Sequence, residues 1–180
     1  SDLDLPLFCL NIAVISSQSA AGYGDFVNQL ADSPYDFHTQ LFPAIMQGEQ
    51  VEESIIHALN AIYDSCIDQQ TSVFDCVVII RGGGATADLS GFDALQLAEN
   101  VAQFPLPIIT GIGHDRDESI LDMVSNTRVK TPTAAAQLII SHLDSTSQRI
   151  DTCGERINTF FSLLKTREEA RIDNLSSYLS

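Results

Sequence analysis

An arginine followed by glycines is the pattern in this sequence best suited to chemistry on a phosphate group. Arg81 immediately precedes three glycines, which are Gly82, Gly83 and Gly84. A guanidinium group can contact a phosphate through two N–H donors, and the bare backbone N–H groups of a glycine loop above a helix N-terminus can hold its oxygens. The alternative is a tight turn that needs glycine for a positive φ. Because Arg81 directly follows an apolar run, we expect this loop to bind phosphate.

A second segment, Gly111–Glu118, combines glycines with one histidine and several charged residues. His114 can accept or donate a proton near neutral pH, and Asp117, three residues on, could orient its ring. Arg116 adds a positive charge that could contact phosphate. The competing interpretation is a solvated acidic loop in which the histidine has no function, and this segment alone favours neither. A divalent cation held by His114, Asp117 and Asp25 is a weaker hypothesis, because the spacing specifies no such site.

Strands and helices alternate in the part of the chain that contains these residues. Four apolar runs predict strands, at 11–17, 38–45, 76–80 and 107–110. The third run is rich in β-branched residues, which is typical of a strand covered on both faces. Asp25 is expected to cap or open the first helix, and a further helix is predicted from Leu89 to Val101. The alternation predicts an α/β fold, a Rossmann-like parallel sheet sandwiched between helices.

This fold would bring the candidate residues to one place. Ligands of open parallel sheets bind beyond the carboxyl ends of the strands, near the point where the strand order reverses. Asp25, Arg81 and His114 each follow a predicted strand, so we expect them at the same edge of the sheet. Two further cations, Arg128 and Lys130, precede the last helical region and are expected to add phosphate contacts there.

The last region has the character of a long amphipathic helix. From residue 132 onward, apolar residues recur at alternating spacings of four and three, which is the coiled-coil pattern. The sequence therefore predicts two domains, an α/β domain at 1–131 and a helical arm at 132–180, with self-association through the arm as a further expectation. The chain begins at Ser1 without a methionine and ends within the helical pattern, so we expect it to be part of a longer protein.

Composition excludes several classes of protein. The chain has 180 residues, 44% of them hydrophobic, which excludes wholesale disorder, and no apolar run reaches the roughly 20 residues that cross a bilayer. Its four cysteines contain no CxxC pair, which argues against a structural zinc site and is typical of reduced thiols in a cytoplasmic protein. The formal net charge of −15 would repel a phosphate-rich partner unless the few cations were gathered at one place.

Three sequence blocks, taken in order, resemble the catalytic domain of the exonuclease VII large subunit. They are RGGGATADLSGFD, PIITGIGHDRDESILDMV and RVKTPTAAAQLI, and they follow IAVISS and AAGYGD near the start. The resemblance covers roughly residues 9 to 145. It implies a cytoplasmic bacterial nuclease that hydrolyses single-stranded DNA from both ends and releases oligonucleotides with 5′-phosphates. It also implies an OB-fold before this domain and a long coil after it that binds copies of a small helical subunit.

The residues that carry function in this family fall on Asp25, Arg81, His114 and Asp117 of this chain. The first loop departs from the family pattern, since Gln18 replaces a proline and Gly24 stands where a basic residue usually precedes the aspartate. One phosphate-contacting cation is therefore expected to be missing. Metal dependence varies within the family, so Mg²⁺ stays an open alternative, with Asp25 and Asp117 as its candidate ligands.

Two other functions stay open from the residues. The glycine loop and the acidic charge also fit an α/β domain that binds a small phosphorylated ligand. The helical arm also fits a non-catalytic assembly scaffold.

Overall fold

The structure is a computed structural model that describes residues 3–68, 73–82, 89–113 and 119–179. Five strands and five α-helices occur in these ranges, with one short 3₁₀ helix at Ser90–Phe92. The strands are β1 (Asn11–Ser16), β2 (His38–Pro43), β3 (Cys76–Ile80), β4 (Ile108–Gly111) and β5 (Thr127–Arg128). The helices are α1 (Ala21–Ala31), α2 (Val51–Asp68), α3 (Leu95–Ala102), α4 (Ile120–Val124) and α5 (Pro132–Leu179).

The strands form one parallel sheet in the order β2-β1-β3-β4-β5. This confirms the predicted α/β class with a parallel sheet. The prediction of four strands was wrong by one, because β5 contains only two residues, too few to produce an apolar pattern. In β5, Thr127 pairs with Ile109 and Arg128 pairs with Thr110.

Helices cover both faces of the sheet, so alternate residues of β3 enter two separate cores. Val77 and Ile79 lie in the core formed with α2 and α3. Cys76, Val78 and Ile80 lie in the other, formed with α1 and the first turns of α5. Every residue of β3 is buried, and each fully buried Val or Ile contributes about 1.5–3 kcal/mol. This explains why the strand is uniformly apolar rather than alternating.

Two helix boundaries differ from the prediction. Helix α1 begins at Ala21, so Asp25 neither caps it nor lies in its first turn. Ala21, which has a high helix propensity, is the first helical residue, so the helix begins one turn before Asp25. After the glycine loop, α3 begins only at Leu95, which is 70% exposed and not on the apolar face.

Helix α5 has 48 residues and contributes to two compact units, Ser1–Leu143 and Asp144–Ser180. In the first unit its buried residues are Ala135, Ala136, Ile139, Ile140 and Leu143. In the second unit it is a single helix with large apolar side chains exposed, including Ile150, Ile157, Phe160 and Ile172. The domain boundary after residue 131 and the coiled-coil character of the arm stay predictions. None of the described helices is long and apolar enough to cross a membrane.

Candidate functional site

An open cavity of about 570 Å³ lies at the carboxyl edge of the sheet. Its wall is formed by residues that follow β1, β2 and β3: Ser17, Ser19, Ala20, Ala21, Ala44, Ile45, Met46, Gln47, Arg81 and Gly82. The strand order reverses between β1 and β3, which is the switch point at which doubly wound sheets bind ligands. The cavity thus occupies the position that the sequence predicted for the site.

The N-terminus of α1 opens at this cavity. Ala20 is its N-cap, and no side chain accepts a hydrogen bond from the first helical N–H groups. The loop before it is a tight turn in which the Ala20 N–H donates to the Ser17 carbonyl at 3.0 Å, while the Ser17 and Ser19 hydroxyls lie 3.4 Å apart. At a helix N-terminus without a capping side chain, the first backbone N–H groups can donate hydrogen bonds to a ligand, and the helix dipole gives this end a partial positive charge.

Arg81 is buried beside this helix end, with only 6% of the residue exposed. Its Nε and Nη1 atoms have no hydrogen-bond partner among the residues that the structure describes. Buried charged donors without partners are destabilising, by about 1–3 kcal/mol or more, so such groups are normally satisfied by a ligand or solvent. The Arg81 side chain therefore marks the cavity as a place for a negatively charged group.

Two glycines allow α1 to approach the end of β3. A Cβ atom added at Gly22 would lie 2.9 Å from the Arg81 carbonyl oxygen and 3.0 Å from the Gly82 Cα. A Cβ added at Gly82 would lie 3.2 Å from the Ala20 Cβ and 3.5 Å from the Ala21 nitrogen. No role for Gly22 was predicted from the sequence, although a glycine at the second position of a helix could have indicated a close contact.

The end of β4 turns sharply just before the predicted histidine. Gly113 has a φ of 76°, in the left-handed region that favours glycine. A Cβ at this position would also lie 3.2 Å from the Lys130 carbonyl oxygen. The described chain resumes at Ser119, the N-cap of α4.

A buried carboxylate links the two ends of that segment. Asp122 accepts hydrogen bonds from the Thr110 hydroxyl at 2.7 Å and the Ser119 hydroxyl at 3.0 Å, and its own N–H donates to Ser119 Oγ at 3.2 Å. Its Oδ2 also lies 3.8 Å from Nε of Arg128. Asp122 was not predicted from the sequence, although Ser119 and Asp122 have the spacing of a capping box.

The predicted site residues are only partly within the described ranges. Arg81 and Gly82 line the cavity, and their contacts with phosphate stay predictions. Asp25 is exposed on α1 and is not part of the cavity wall. Five other candidates lie outside the described residues, namely Gly83, Gly84, His114, Arg116 and Asp117.

The remaining predicted phosphate contacts are Arg128 and Lys130. Arg128 lies on β5, and its guanidinium group forms an ion pair with the Asp122 carboxylate. Lys130 is exposed in the connection to α5. Their contacts with phosphate stay predictions.

Metal binding is not indicated within the described ranges. No group of three His, Cys, Asp or Glu side chains there could hold an ion. Since His114 and Asp117 lie outside those ranges, the Mg²⁺ hypothesis stays a prediction.

Comparison with known proteins identifies the family. The model of the family described as "Exonuclease VII, large subunit" matches residues 1–180. The chain belongs to the exonuclease VII large-subunit family. Curated relatives named "Exodeoxyribonuclease 7 large subunit" include one from a Nostoc species, 36% identical over 81% of this chain, and one from Lacticaseibacillus casei, 32% identical over 89%. A relative of the same name from a Shewanella species is 31% identical over 97% of the chain.

The chain spans about a third of the length of these relatives, between 34% and 38%. A solved structure containing a yeast Spc42 trimeric coiled coil covers 94% of the chain at 13% identity, with a TM-score of 0.35, which is too low to indicate a shared fold. Family membership therefore rests on sequence, and it confirms the resemblance seen in the three sequence blocks.

Each of the three blocks of this exonuclease VII family member contains the end of a strand or the start of a helix. RGGG follows β3, GIGH begins at the last residue of β4, and TPTAAA contains Pro132, the first residue of α5. A Cβ added at Gly111 would lie 3.3 Å from the Thr131 carbonyl oxygen, and one added at Gly22 would lie 2.8 Å from the Pro132 ring. The glycines, alanines and proline of these blocks thus serve close packing beside the cavity.

Proposed function

We propose that this chain is the catalytic segment of an exonuclease large subunit that hydrolyses phosphodiester bonds in single-stranded DNA. In this proposal the enzyme acts in the cytoplasm, degrades strands from both ends and releases oligonucleotides with 5′-phosphates. The observation that carries the proposal is Arg81, a buried residue that lines the cavity at the switch point and whose Nε and Nη1 atoms have no partner among the described residues. Membership of the exonuclease VII family supplies the reaction class.

Arg81 has the central role in the proposed mechanism. It holds the scissile phosphate together with the backbone N–H groups of Gly82, Gly83 and Gly84, and it stabilises the negative charge that develops on the phosphate oxygens. Donors of this kind, held in place before the reaction, are worth about 100- to 1000-fold in rate for each one removed. Burial strengthens the effect, because water screens the charge less there.

His114 is the proposed general base or acid, which activates a water molecule or protonates the leaving oxygen. Such proton transfer typically contributes about 100- to 10,000-fold. Asp117, three residues on, orients the imidazole ring and stabilises its charged form. Asp25, exposed one helical turn beyond Gly22, positions the attacking water or holds a divalent ion such as Mg²⁺.

The strongly negative charge of the chain argues against tight DNA binding by this segment alone. We therefore assign most of the DNA affinity to a separate OB-fold domain of the same subunit, which would bind single strands by base stacking and basic residues. Arg128, Lys130 and Arg116 then add a small number of phosphate contacts near the cavity.

We further propose that the second unit binds a small helical subunit. Its exposed apolar side chains, including Ile150, Ile157 and Phe160, are typical of a helix that packs against other helices. Charged substitutions at Ile150 or Ile157 should abolish this association and leave the fold of Ser1–Leu143 intact.

The test of the nuclease proposal uses the full-length large subunit co-expressed with its small helical partner. Loss of end-labelled single-stranded DNA is followed for wild type, His114→Ala and His57→Ala, the last being an exposed histidine on α2 that serves as the control. We expect degradation by wild type and His57→Ala and a rate at least about 100-fold lower for His114→Ala.

Each outcome of this assay distinguishes the proposed mechanism from an alternative. A rate for His114→Ala within a few-fold of wild type would remove His114 from the mechanism. No degradation by a folded wild-type complex would favour a domain that binds a small phosphorylated ligand. Parallel reactions with EDTA decide whether a divalent ion is required.

A further inference from the structure

We infer that the switch-point cavity holds a single nucleotide unit, with its phosphate at the N-terminus of α1 and its sugar or base against the segment after β2. The inference deepens the proposed function, on which it rests, by assigning the place of one nucleotide of the strand. It differs from the sequence prediction, which put the phosphate above the helix that follows the glycine loop. That helix, α3, begins at Leu95, whereas α1 begins at the cavity wall.

The first observation is the free end of α1. This helix has 11 residues, its N-cap is Ala20, and no side chain caps its N–H groups. Ser17 and Ser19, the two nearby residues with hydroxyl groups, line the cavity instead. Uncapped N–H donors and the positive end of the helix dipole together favour a phosphate group.

The second observation is independent of the helix. Only 6% of Arg81 is exposed, and the residue lines the same cavity. Its Nε and Nη1 atoms have no hydrogen-bond partner within the described ranges. Arginine presents its donors in a planar fork that matches two phosphate oxygens. A phosphate in the cavity would satisfy donors that the described protein atoms leave unpaired.

The two sets of donors belong to the same wall of the cavity. Gly82, which follows Arg81, is so close to the start of α1 that an added Cβ would lie 3.5 Å from the Ala21 nitrogen. The absence of a side chain at residue 82 thus brings the end of β3 against the first turn of α1. The inference assigns one phosphate group to the α1 N–H groups and the Arg81 guanidinium together.

The opposite wall fits the rest of a nucleotide. Ala44 and Met46 are buried there and Ile45 is 45% exposed, so the wall is apolar with one accessible side chain for a sugar or base. Two hydrogen bonds hold this wall in place, from the Ala44 N–H to the Ser16 carbonyl at 2.9 Å and from the Ile45 N–H to the Ser54 hydroxyl at 2.8 Å. A volume of about 570 Å³ is far more than a phosphate needs and is within the usual range for small-molecule sites.

The test measures binding of thymidine 5′-monophosphate to the chain by titration calorimetry, with thymidine and inorganic phosphate as comparison probes. The decisive variant is Ser19→Glu, which puts a carboxylate at the end of α1, where the helix dipole favours it and folding is not opposed. Ser19→Gln has the same size without the charge, and Ser141→Glu adds the same charge at an exposed position of α5. Circular dichroism verifies the fold of each variant.

We expect the monophosphate to bind wild type and Ser141→Glu equally well, and to bind Ser19→Glu at least about tenfold more weakly than Ser19→Gln, because two negative groups would occupy the same place. Thymidine should bind more weakly than its monophosphate. Equal affinities of Ser19→Glu and wild type, equal affinities of thymidine and its monophosphate, or no binding at all would overturn the inference. The binding measurement involves no turnover. Loss of nucleotide binding with an active nuclease would therefore overturn this inference alone, and an inactive nuclease that still binds the nucleotide would overturn the proposed function alone.

Discussion

The two glycines near the start of α1 provide a sharp test of the packing at the site. Gly22 and Gly24 belong to the same helix, but their surroundings are opposite. A Cβ at Gly22 would meet the Pro132 ring at 2.8 Å, the Arg81 carbonyl oxygen at 2.9 Å and the Gly82 Cα at 3.0 Å, whereas a Cβ at Gly24 would meet nothing within 4 Å. Gly22→Ala and Gly24→Ala are therefore a matched pair that differ only in contact.

The expected magnitudes follow from two opposing effects. Alanine favours helix over glycine by up to about 1 kcal/mol, so Gly24→Ala should stabilise the chain by about that amount. Gly22→Ala gains the same helix preference but adds a methyl group against backbone atoms that cannot rotate away, and overpacking of this kind costs about 1–3 kcal/mol. We expect Gly22→Ala to lose up to about 2 kcal/mol in all, which for a chain of this size lowers Tm by up to about 8 °C.

Thermal and urea unfolding followed by circular dichroism would measure both variants. In the assembled enzyme, Gly22→Ala should also slow DNA degradation, because the displaced backbone belongs to Arg81 and Gly82. Gly24→Ala should leave the rate within about twofold of wild type, since its side chain points away from the packed face. Equal stabilities of the two variants would refute the close approach of α1 to the end of β3.

Two further predictions concern buried polar groups. Asp122→Ala should lower the free energy of unfolding by about 3 kcal/mol, because it removes a buried carboxylate that accepts hydrogen bonds from the Thr110 and Ser119 hydroxyls and lies 3.8 Å from Arg128. Asp151→Ala, at an exposed position, should change it by less than about 0.5 kcal/mol, and urea unfolding that gave equal losses would contradict the Asp122 network. The hydrogen bond with Cys9 and complete burial raise the pKa of the Cys76 thiol well above its usual range. The unfolded chain therefore loses this proton first, and the stability contributed by Cys76 is complete below about pH 8.5 and declines as the pH rises further. Cys76→Ala should weaken that decline in unfolding experiments between pH 7 and 10, whereas the control Cys153→Ala, which removes an exposed thiol, should not.

The sequence by itself determined the architecture and the edge of the sheet at which Arg81 lies. The uniform burial of β3 requires five consecutive apolar residues, and that run is visible without a structure. The alternation of such runs with helical spacing leaves few topologies other than a parallel sheet, and parallel strands end at a common edge. Arg81 was predicted at this edge for the same reason.

Tertiary structure alone decided which groups meet there. The order β2-β1-β3-β4-β5 puts α1, rather than the helix after the glycine loop, against Arg81, and local spacing contains no information about strand order. The role of Gly22 depends on backbone atoms almost 60 residues further along the chain, and that of Asp122 on Thr110 and Arg128 from two strands. β5 is a strand because it pairs with β4. Its two residues are too few to show the hydrophobic periodicity from which a strand is predicted. Sequence patterns report the periodicity of a segment, whereas contacts between distant segments exist only once the chain has folded.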